Sequence, residues 1–181
     1  MITIGSVGRL SAQKRPDRFV AVAKAVLSTI PDAQFIWIGD GELRAATEAQ
    51  ALAELGPDKL IITGWLDEVR IQEFGIDIYL ATADYEGFGY AVLEAMSAGI
   101  PCVVSDTTGH CDLVSTGFNG ARVPMDDIAA YAKVIVQLHQ DPALRARWAA
   151  AGQRETAAKF TLEQMVDQTE QIYRQIRGTK R

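Results

Sequence analysis

The 181-residue sequence is poor in cysteine and histidine, with two of each, and it has no long apolar run. Two cysteines, Cys102 and Cys111, are too few for a disulfide framework or a zinc site, and Cys102 is predicted to be a small core residue. The longest apolar stretches, such as 60–62 and 102–104, are far too short to span a membrane. The first residues also lack the basic segment and apolar stretch of a signal peptide. We therefore expect a cytoplasmic protein.

The sequence also lacks an excess of positive charge, since 23 acidic residues outnumber 18 Lys and Arg and the formal net charge is −5. An acidic chain is a poor candidate for a nonspecific nucleic-acid binder, because phosphate binding favours a basic surface. The sequence contains no G-x-x-x-x-G-K-[ST] phosphate loop and no G-x-S-x-G nucleophile elbow. With 48% hydrophobic and 23% charged residues, the composition is that of a globular protein. Its length predicts a single domain over residues 1–181.

Short β-branched runs alternate with segments of helical periodicity along the chain, a pattern typical of a parallel sheet flanked by helices. Strands are predicted at about 2–7, 34–38, 60–63, 76–81, 102–105 and, more weakly, 121–123. Helices are predicted at about 16–30, 42–55, 89–99, 126–140, 142–159 and 161–177. The predicted fold class is α/β: a Rossmann-like, doubly wound, mostly parallel sheet of about six strands. Helices cover both faces, and extra helices follow at the C-terminal end.

The loop after the first predicted strand is rich in positive charge. Open α/β sheets bind ligands at the carboxyl ends of their strands, so the loops that follow the strands are the first candidates for a site. Here Gly8 permits close backbone approach, and Arg9 and Lys14 place two cations beside a predicted helix N-terminus. This combination favours an anion site. The alternative is a solvated basic loop.

The loops after the second and third strands contain glycines at turns. Gly39-Asp40-Gly41 resembles the start of a dinucleotide fingerprint in which Arg44 replaces the third glycine. A tight turn that uses glycine dihedral angles is the alternative. The segment Gly64-Trp65-Leu66 could line a flat nucleobase with its backbone, although Trp65 by itself is more often a core residue than a ligand contact.

The loop after the fourth strand is the most informative, with the sequence EGFGYAVLEAM. Glu86 stands on the loop, Gly87 and Gly89 bare the backbone N–H groups of a helix start, and Glu94 follows in the helix. Free N–H groups and the helix dipole both favour a bound anion. An apolar stretch surrounds Glu94, where an idle carboxylate would be costly. The alternative is that Glu86 caps the helix and Glu94 is a surface residue.

The two histidines are far apart in sequence, and no metal-ligand spacing links them. His110 follows Gly109 at a predicted helix start, where it could contact the site, and a structural or solvated role is the alternative. His139 is predicted to be solvated on a helix.

Taken together, the loops resemble the C-terminal domain of the retaining glycosyltransferases of GT-B fold known as glycosyl transferases group 1. The resemblance covers nearly the whole chain. It is carried by GRLSAQKRPD, by IGDGELR, by FTLE at residues 160–163 and, most specifically, by the two glutamates of EGFGYAVLEAMSAGIPCVVSD, separated by seven residues. It implies the donor-binding half of an enzyme that transfers a sugar from a UDP-, GDP- or ADP-linked donor, with no metal and no cofactor.

The resemblance also implies a role for each site residue. Arg9 and Lys14 would neutralise the donor diphosphate, and Glu94 would hold the ribose hydroxyls. Glu86 would hydrogen-bond the sugar near its reacting carbon, so that Glu86, Arg9 and Lys14 form the catalytic set. Backbone at four successive residues would hold the diphosphate and sugar: Phe88, Gly89, Tyr90 and Ala91. Gly8, Gly39, Gly64, Trp65, Leu66 and Gly87 complete the predicted nucleotide-sugar site.

The sequence departs from the family pattern in two loops and lacks one domain. The family often has two glycines, an apolar residue, proline and glutamate where this chain has Thr108-Gly109-His110-Cys111-Asp112, and Pro-Ser where it has Thr82-Ala83. The N-terminal acceptor domain is absent, so the isolated chain is expected to be inactive. The intact protein could associate peripherally with the inner face of the membrane through that domain. A non-catalytic nucleotide-binding module and a nucleotide-sugar epimerase of the same fold are the alternatives.

Overall fold

Six short strands form one sheet in the computed structural model, which describes residues 1–178. The strands are β1 (Thr3–Val7), β2 (Gln34–Ile38), β3 (Leu60–Ile62), β4 (Ile78–Ala81), β5 (Cys102–Ser105) and β6 (Gly120–Val123). The helices are α1 (Pro16–Leu27), α2 (Arg44–Leu55), α3 (Tyr90–Ser97), α4 (Thr108–Cys111), α5 (Ile128–Gln140), α6 (Pro142–Lys159) and α7 (Leu162–Gly178). A 3-10 turn over Ile71–Phe74, which the sequence did not predict, precedes β4.

The strand order is β3-β2-β1-β4-β5-β6, and every neighbouring pair is parallel. The chain runs outward from β1 to one edge of the sheet, returns to its centre at β4, and then runs to the other edge. The prediction of a doubly wound α/β fold is therefore confirmed. The order reverses between β1 and β4, which is the position where ligands bind in sheets of this kind. The loops after β1 and β4 meet there.

Side chains alternate between two hydrophobic cores, one on each face of the sheet. In β4, Ile78 and Leu80 point into the first core, and Tyr79 and Ala81 point into the second. Helices α1 and α5 cover the first core, and α3 covers the second. This period-two pattern buries both faces of the sheet, as a parallel sheet requires.

Most predicted boundaries agree with the structure within two or three residues, and the start of α2 shows why they differ. The sequence predicted this helix from Glu42, but a turn in which the Arg44 N–H donates to the Gly41 carbonyl at 3.1 Å delays it to Arg44. Asp40 stabilises the turn by accepting hydrogen bonds from the Gly41 N–H at 2.8 Å and from Arg44 Nη1 at 2.9 Å.

The last helix, α7, leaves its apolar face uncovered by the rest of residues 1–178. Its apolar side chains Met165, Ile172, Tyr173 and Ile176 are exposed. None of the helices within this described range is long and apolar enough to cross a membrane.

Candidate functional site

The loops after β1 and β4 are joined by hydrogen bonds at the switch point of the sheet. The Asp84 N–H donates to the Gln13 carbonyl at 2.9 Å, and Gln13 Nε2 donates to the Tyr85 carbonyl at 2.9 Å. Thr82 Oγ1 donates to the Lys14 carbonyl at 3.1 Å. Because each bond joins one loop to the other, the two loops hold their side chains in a fixed relation.

A buried arginine of α1 anchors the loop that follows β4. Arg18 is 4% exposed, and its Nη1 donates to the Thr82 carbonyl at 2.7 Å. Its Nη2 lies 2.8 Å from Asp84 Oδ1 and 2.8 Å from Asp126 Oδ1. A buried guanidinium needs such partners, since an unpaired buried charge is strongly destabilising. The sequence analysis missed Arg18 because its position on α1 gives no local sign of these distant partners.

Lys14 and Glu86 form an ion pair across this junction, with the Lys14 ammonium donating to Glu86 Oε1. Their side chains are only 25% and 12% exposed. They line a narrow cavity of about 20 Å³, here called the lysine cavity. Its wall also includes Val7, Tyr79, Gly89, Ala91 and His110. Tyr79 is a second residue that the sequence analysis missed: its hydroxyl lies 3.3 Å from both the backbone nitrogen and the backbone oxygen of Val7.

The N-terminus of α3 opens beside Glu86 and is free of any side-chain cap among the described residues. Gly89 precedes it in the left-handed region, with φ of 92°. The alternative in which Glu86 caps this helix is therefore not observed, because Glu86 pairs with Lys14 instead. The first N–H groups of α3, beginning with Tyr90, are available to an anion. A Cβ added at Gly87 would meet no other atom within 4 Å, and the Phe88 ring packs edge-on against Tyr90 at 5.3 Å between centroids.

A wider cavity of about 580 Å³ lies between the loops after β1, β2 and β3. Its lining includes five of the predicted site residues: Gly8, Arg9, Gly39, Trp65 and Leu66. We call it the tryptophan cavity, because Trp65 is 77% exposed at its wall rather than part of either core. Gly64 lies next to Trp65 and forms an isolated bridge with Gly39. The shape and its mostly apolar wall suit a flat aromatic ring.

Gly39 is required where the loops after β1 and β2 touch. Its φ is 138°, and a Cβ at this position would lie 2.2 Å from the Gly8 carbonyl oxygen. That oxygen also accepts a hydrogen bond from Trp37 Nε1 at 2.8 Å. The glycine therefore makes a tight turn, as the alternative proposed, and the turn forms one wall of the tryptophan cavity.

Arg9 and Lys14 do not lie in the same cavity. Arg9 lines the tryptophan cavity and pairs with Glu42 at 3.0 Å on the exposed surface, whereas Lys14 lines the lysine cavity. The two cavities share Val7 as a common wall. A ligand long enough to pass Val7 would meet both cations.

Glu94 lies on the exposed side of α3, so the expectation of an apolar enclosure is wrong. The helical period turns Val92, Ala95 and Met96 into the core and leaves Glu94 facing outward. It lines a third cavity of about 540 Å³, which shares Val69 with the tryptophan cavity. Partial loss of water at this wall raises the pKa of Glu94.

His110 is fully buried at 0% exposure, whereas the sequence did not decide between contact with the site and a structural or solvated role. Its ring packs against Gly89, where a Cβ would lie 3.2 Å from the ring carbon Cδ2. Cys102 is buried in the second core, as predicted, and burial raises the pKa of its thiol. Within residues 1–178, no three His, Cys, Asp or Glu side chains are grouped so as to hold a metal ion.

Comparison with known proteins identifies the family. Residues 2–155 match the family described as glycosyl transferases group 1, and the chain belongs to it. Over 141 residues the chain is 33% identical to UDP-Gal:alpha-D-GlcNAc-diphosphoundecaprenol alpha-1,3-galactosyltransferase of Escherichia coli, covering 76% of this chain and 36% of that protein. It is 31% identical over 172 residues to alpha-D-kanosaminyltransferase of Streptomyces kanamyceticus, covering 94% of this chain and 45% of that protein. The chain thus spans less than half of either relative.

Solved structures share the same fold. TarM of S. aureus, solved as a mutant with UDP among its ligands, matches with a TM-score of 0.88 and 21% identity, over 94% of this chain and 35% of that one. Anabaena HepE in complex with UDP and glucose gives 0.87 and 20%, over 96% and 48%. The C-terminal domain of a group 1 glycosyl transferase from Francisella tularensis gives 0.80 and 21%, over 89% and 87%. That last structure is a domain of about the same extent as this chain.

Proposed function

We propose that this chain is the donor-binding domain of a retaining glycosyltransferase, which transfers a sugar from a nucleoside-diphosphate sugar to an acceptor. One observation carries the proposal. The Lys14–Glu86 ion pair lies at the switch point of the sheet, beside the uncapped N-terminus of α3. Cation, carboxylate and free N–H groups therefore converge where a diphosphate and its sugar would meet.

We propose a wall of these cavities for each part of the donor. The nucleobase would enter the tryptophan cavity against Trp65 and the backbone of Gly39. The ribose would lie toward Glu94, whose cavity shares Val69 with the tryptophan cavity. The diphosphate would then pass Val7, between Arg9 and Lys14, and reach the start of α3. The sugar would lie beside Glu86.

This arrangement suits cleavage of the bond between the sugar's anomeric carbon and the diphosphate oxygen. Negative charge grows on the leaving diphosphate as that bond breaks, and Lys14 and the α3 N–H groups would stabilise it. A diphosphate that attracts the Lys14 ammonium would also release Glu86 from its ion pair. The freed carboxylate would then face the positive charge that develops on the sugar. Retention at the anomeric carbon is the stereochemical outcome we propose, testable by NMR of the product.

The acceptor half is proposed to be a separate domain of the same protein. The chain spans 36% and 45% of the two relatives compared above, and the apolar face of α7 is uncovered within residues 1–178. We propose that the missing half packs on this face and supplies the acceptor site, so that the isolated chain is inactive. The E. coli relative's name includes a diphosphoundecaprenol carrier, which is a lipid. We propose that the intact protein is cytoplasmic and works at the inner face of the membrane through the missing half.

Titration calorimetry of the isolated chain tests the proposal. The ligands are UDP, GDP and ADP with their glucose conjugates, each measured with and without EDTA. UDP is the first probe, since the TarM and HepE structures contain it. We expect weak, EDTA-insensitive binding of one nucleotide and no sugar transfer. Failure of all three nucleotides to bind would refute the proposal, and loss of binding with EDTA would refute its metal-free form.

Turnover assays separate the two alternatives. An epimerase would convert the sugar of the donor without any acceptor, which NMR of the nucleotide sugar would reveal. A binding module would remain without turnover even when the intact protein and its acceptor are supplied. Transfer by the intact protein and none by the isolated chain is the result that supports a donor-binding domain.

A further inference from the structure

His110 is a buried imidazole that the donor site described above does not use. It comes from the short helix α4, and its side chain is 0% exposed. It lines the lysine cavity together with Lys14 and Glu86. The group 1 pattern that the sequence resembles has an apolar residue here, so simple packing of the core does not require an imidazole at this position.

The hydrogen bonds of the ring fix which nitrogen carries the proton. Nδ1 lies 2.8 Å from the Ser105 carbonyl oxygen, which can only accept a hydrogen bond. Nδ1 must therefore carry the hydrogen. Burial lowers the pKa of His110 below its ordinary value of 6.5, so the ring is neutral at pH 7. Nε2 is then a bare acceptor. It is fully buried and has no hydrogen-bond partner among the residues of the described range.

The cavity in front of the ring limits what can pair with Nε2. Its volume of about 20 Å³ is close to that needed by one water molecule or one hydroxyl group. Nε2 needs a donor, and a phosphate oxygen of a nucleoside diphosphate at neutral pH offers only lone pairs. A sugar hydroxyl can donate. It would satisfy a buried acceptor that has no hydrogen-bond partner among the described residues.

We propose that His110 determines specificity by accepting, at Nε2, a hydrogen bond from one hydroxyl of the transferred sugar. The inference rests on the proposed function, because it needs the sugar to lie beside Glu86. The substrate class it names is a nucleoside-diphosphate sugar with a free hydroxyl at the position that reaches the lysine cavity. A donor that is deoxygenated or fluorinated there leaves Nε2 unpaired and binds more weakly.

The first test compares nucleotide with nucleotide sugar in two variants. His110→Leu removes Nε2 and fills the same space with an apolar side chain of similar size. The control is His139→Leu, which changes the histidine that lies outside the lysine cavity. The probes are UDP, GDP and ADP with their glucose conjugates. We expect His110→Leu to weaken binding of the glucose conjugate about tenfold, which is the effect of one hydrogen bond. Its affinity for the bare nucleotide should stay within about twofold of the wild-type value. His139→Leu should leave both affinities unchanged.

Deoxyfluoro analogues identify the hydroxyl. Fluorine fills the space of a hydroxyl but cannot donate, so the analogue at one of the positions 2, 3, 4 and 6 of the glucose should bind the wild-type chain about tenfold more weakly. The same analogue should bind His110→Leu as well as the parent donor does. The inference would be overturned if every analogue bound the wild-type chain as well as the parent donor does. Nucleotide binding would in that case still support the proposed function. Equal loss of bare nucleotide and conjugate would show that His110 only supports the fold.

A spectroscopic measurement covers the case in which His110→Leu does not fold. The wild-type chain labelled with ¹⁵N-histidine reports the state of Nε2 directly, because the nitrogen signal moves when its lone pair accepts a hydrogen bond. The glucose conjugate should move this signal and the bare nucleotide should not. An Nε2 signal that is the same with both ligands would overturn the inference. No binding of any nucleotide would instead overturn the proposed function.

Discussion

Lys14 and Glu86, which are 72 residues apart in the chain, form an ion pair across the point where the strand order of the sheet reverses. In the proposed site, the diphosphate of a bound donor would take the place of Glu86 beside the Lys14 ammonium, and Glu86 would lose its partner. The ion pair is neutral as it stands, and under the proposed function both charges would become available when a diphosphate sugar enters.

Lys14→Ala should weaken the binding of a nucleoside diphosphate far more than that of the nucleoside. Loss of a hydrogen bond to a charged group costs roughly 1.5–3 kcal/mol, and the unpaired Glu86 adds repulsion toward phosphate. Calorimetry with uridine, UMP and UDP measures the difference. Lys24→Ala is a matched control, because that exposed lysine pairs with Glu54 at 3.3 Å, away from the cavities. Equal losses for uridine and UDP would indicate a misfolded loop instead.

Substitutions of Glu94 and Glu86 should affect different quantities, nucleotide affinity for Glu94 and turnover for Glu86, when both are measured in parallel. Glu94→Ala should weaken the bare nucleotide by about tenfold, because the ribose loses a hydrogen bond to a carboxylate. Glu86→Gln should not weaken that affinity, because it removes the carboxylate that competes with phosphate for Lys14, and it should lower kcat of the intact enzyme by about 10²–10³. Glu48→Gln, on the exposed face of α2, is the control for both. If Glu86→Gln lost nucleotide affinity as badly as Glu94→Ala, the assigned division of roles would be wrong.

Arg18→Met should lower the free energy of unfolding by about 1–3 kcal/mol, the cost of leaving the Thr82 carbonyl without its donor. A larger loss is not expected, because Asp84 and Asp126 are 39% and 90% exposed and stay hydrated without the arginine. Denaturant unfolding measures the change. Arg174→Met, which removes an exposed pair with Glu170, should stay within about 0.5 kcal/mol of wild type. Equal stability of the two variants would show that Arg18 does not anchor the loop.

Stability should fall as the pH drops through 6.5, the ordinary pKa of histidine, in part because of His110. Burial lowers its pKa in the folded chain, so below 6.5 the unfolded chain binds a proton that the folded chain does not. The free energy of unfolding then decreases toward low pH. His110→Leu should show a shallower decrease in denaturant unfolding between about pH 7.5 and 5.5, above the ordinary range of carboxylates. If the free energy of unfolding fell equally steeply with pH in the wild type and in His110→Leu, the pKa of His110 would be the same in the folded and the unfolded chain.

The sequence by itself determined the strands, all but the shortest helices and the parallel sheet, because these depend on spacing within a few residues. The alternation of Ile78, Tyr79, Leu80 and Ala81 between two cores is already the pattern of a strand buried on both faces. Gly89 likewise indicates a helix start with bare N–H groups from its local sequence alone.

Only the tertiary structure decided which of the candidate side chains share a cavity. Strand order places Lys14 beside Glu86 and moves Arg9 to the far side of Val7, and no short stretch of sequence contains that order. The apolar neighbours of Glu94 in sequence suggested enclosure, but α3 packs Val92, Ala95 and Met96 into the second core and leaves the carboxylate facing outward. Helix α4 packs the His110 ring against Gly89, and Nε2 of this ring has no hydrogen-bond partner among residues 1–178. Local spacing specifies the elements, whereas long-range packing specifies which groups meet.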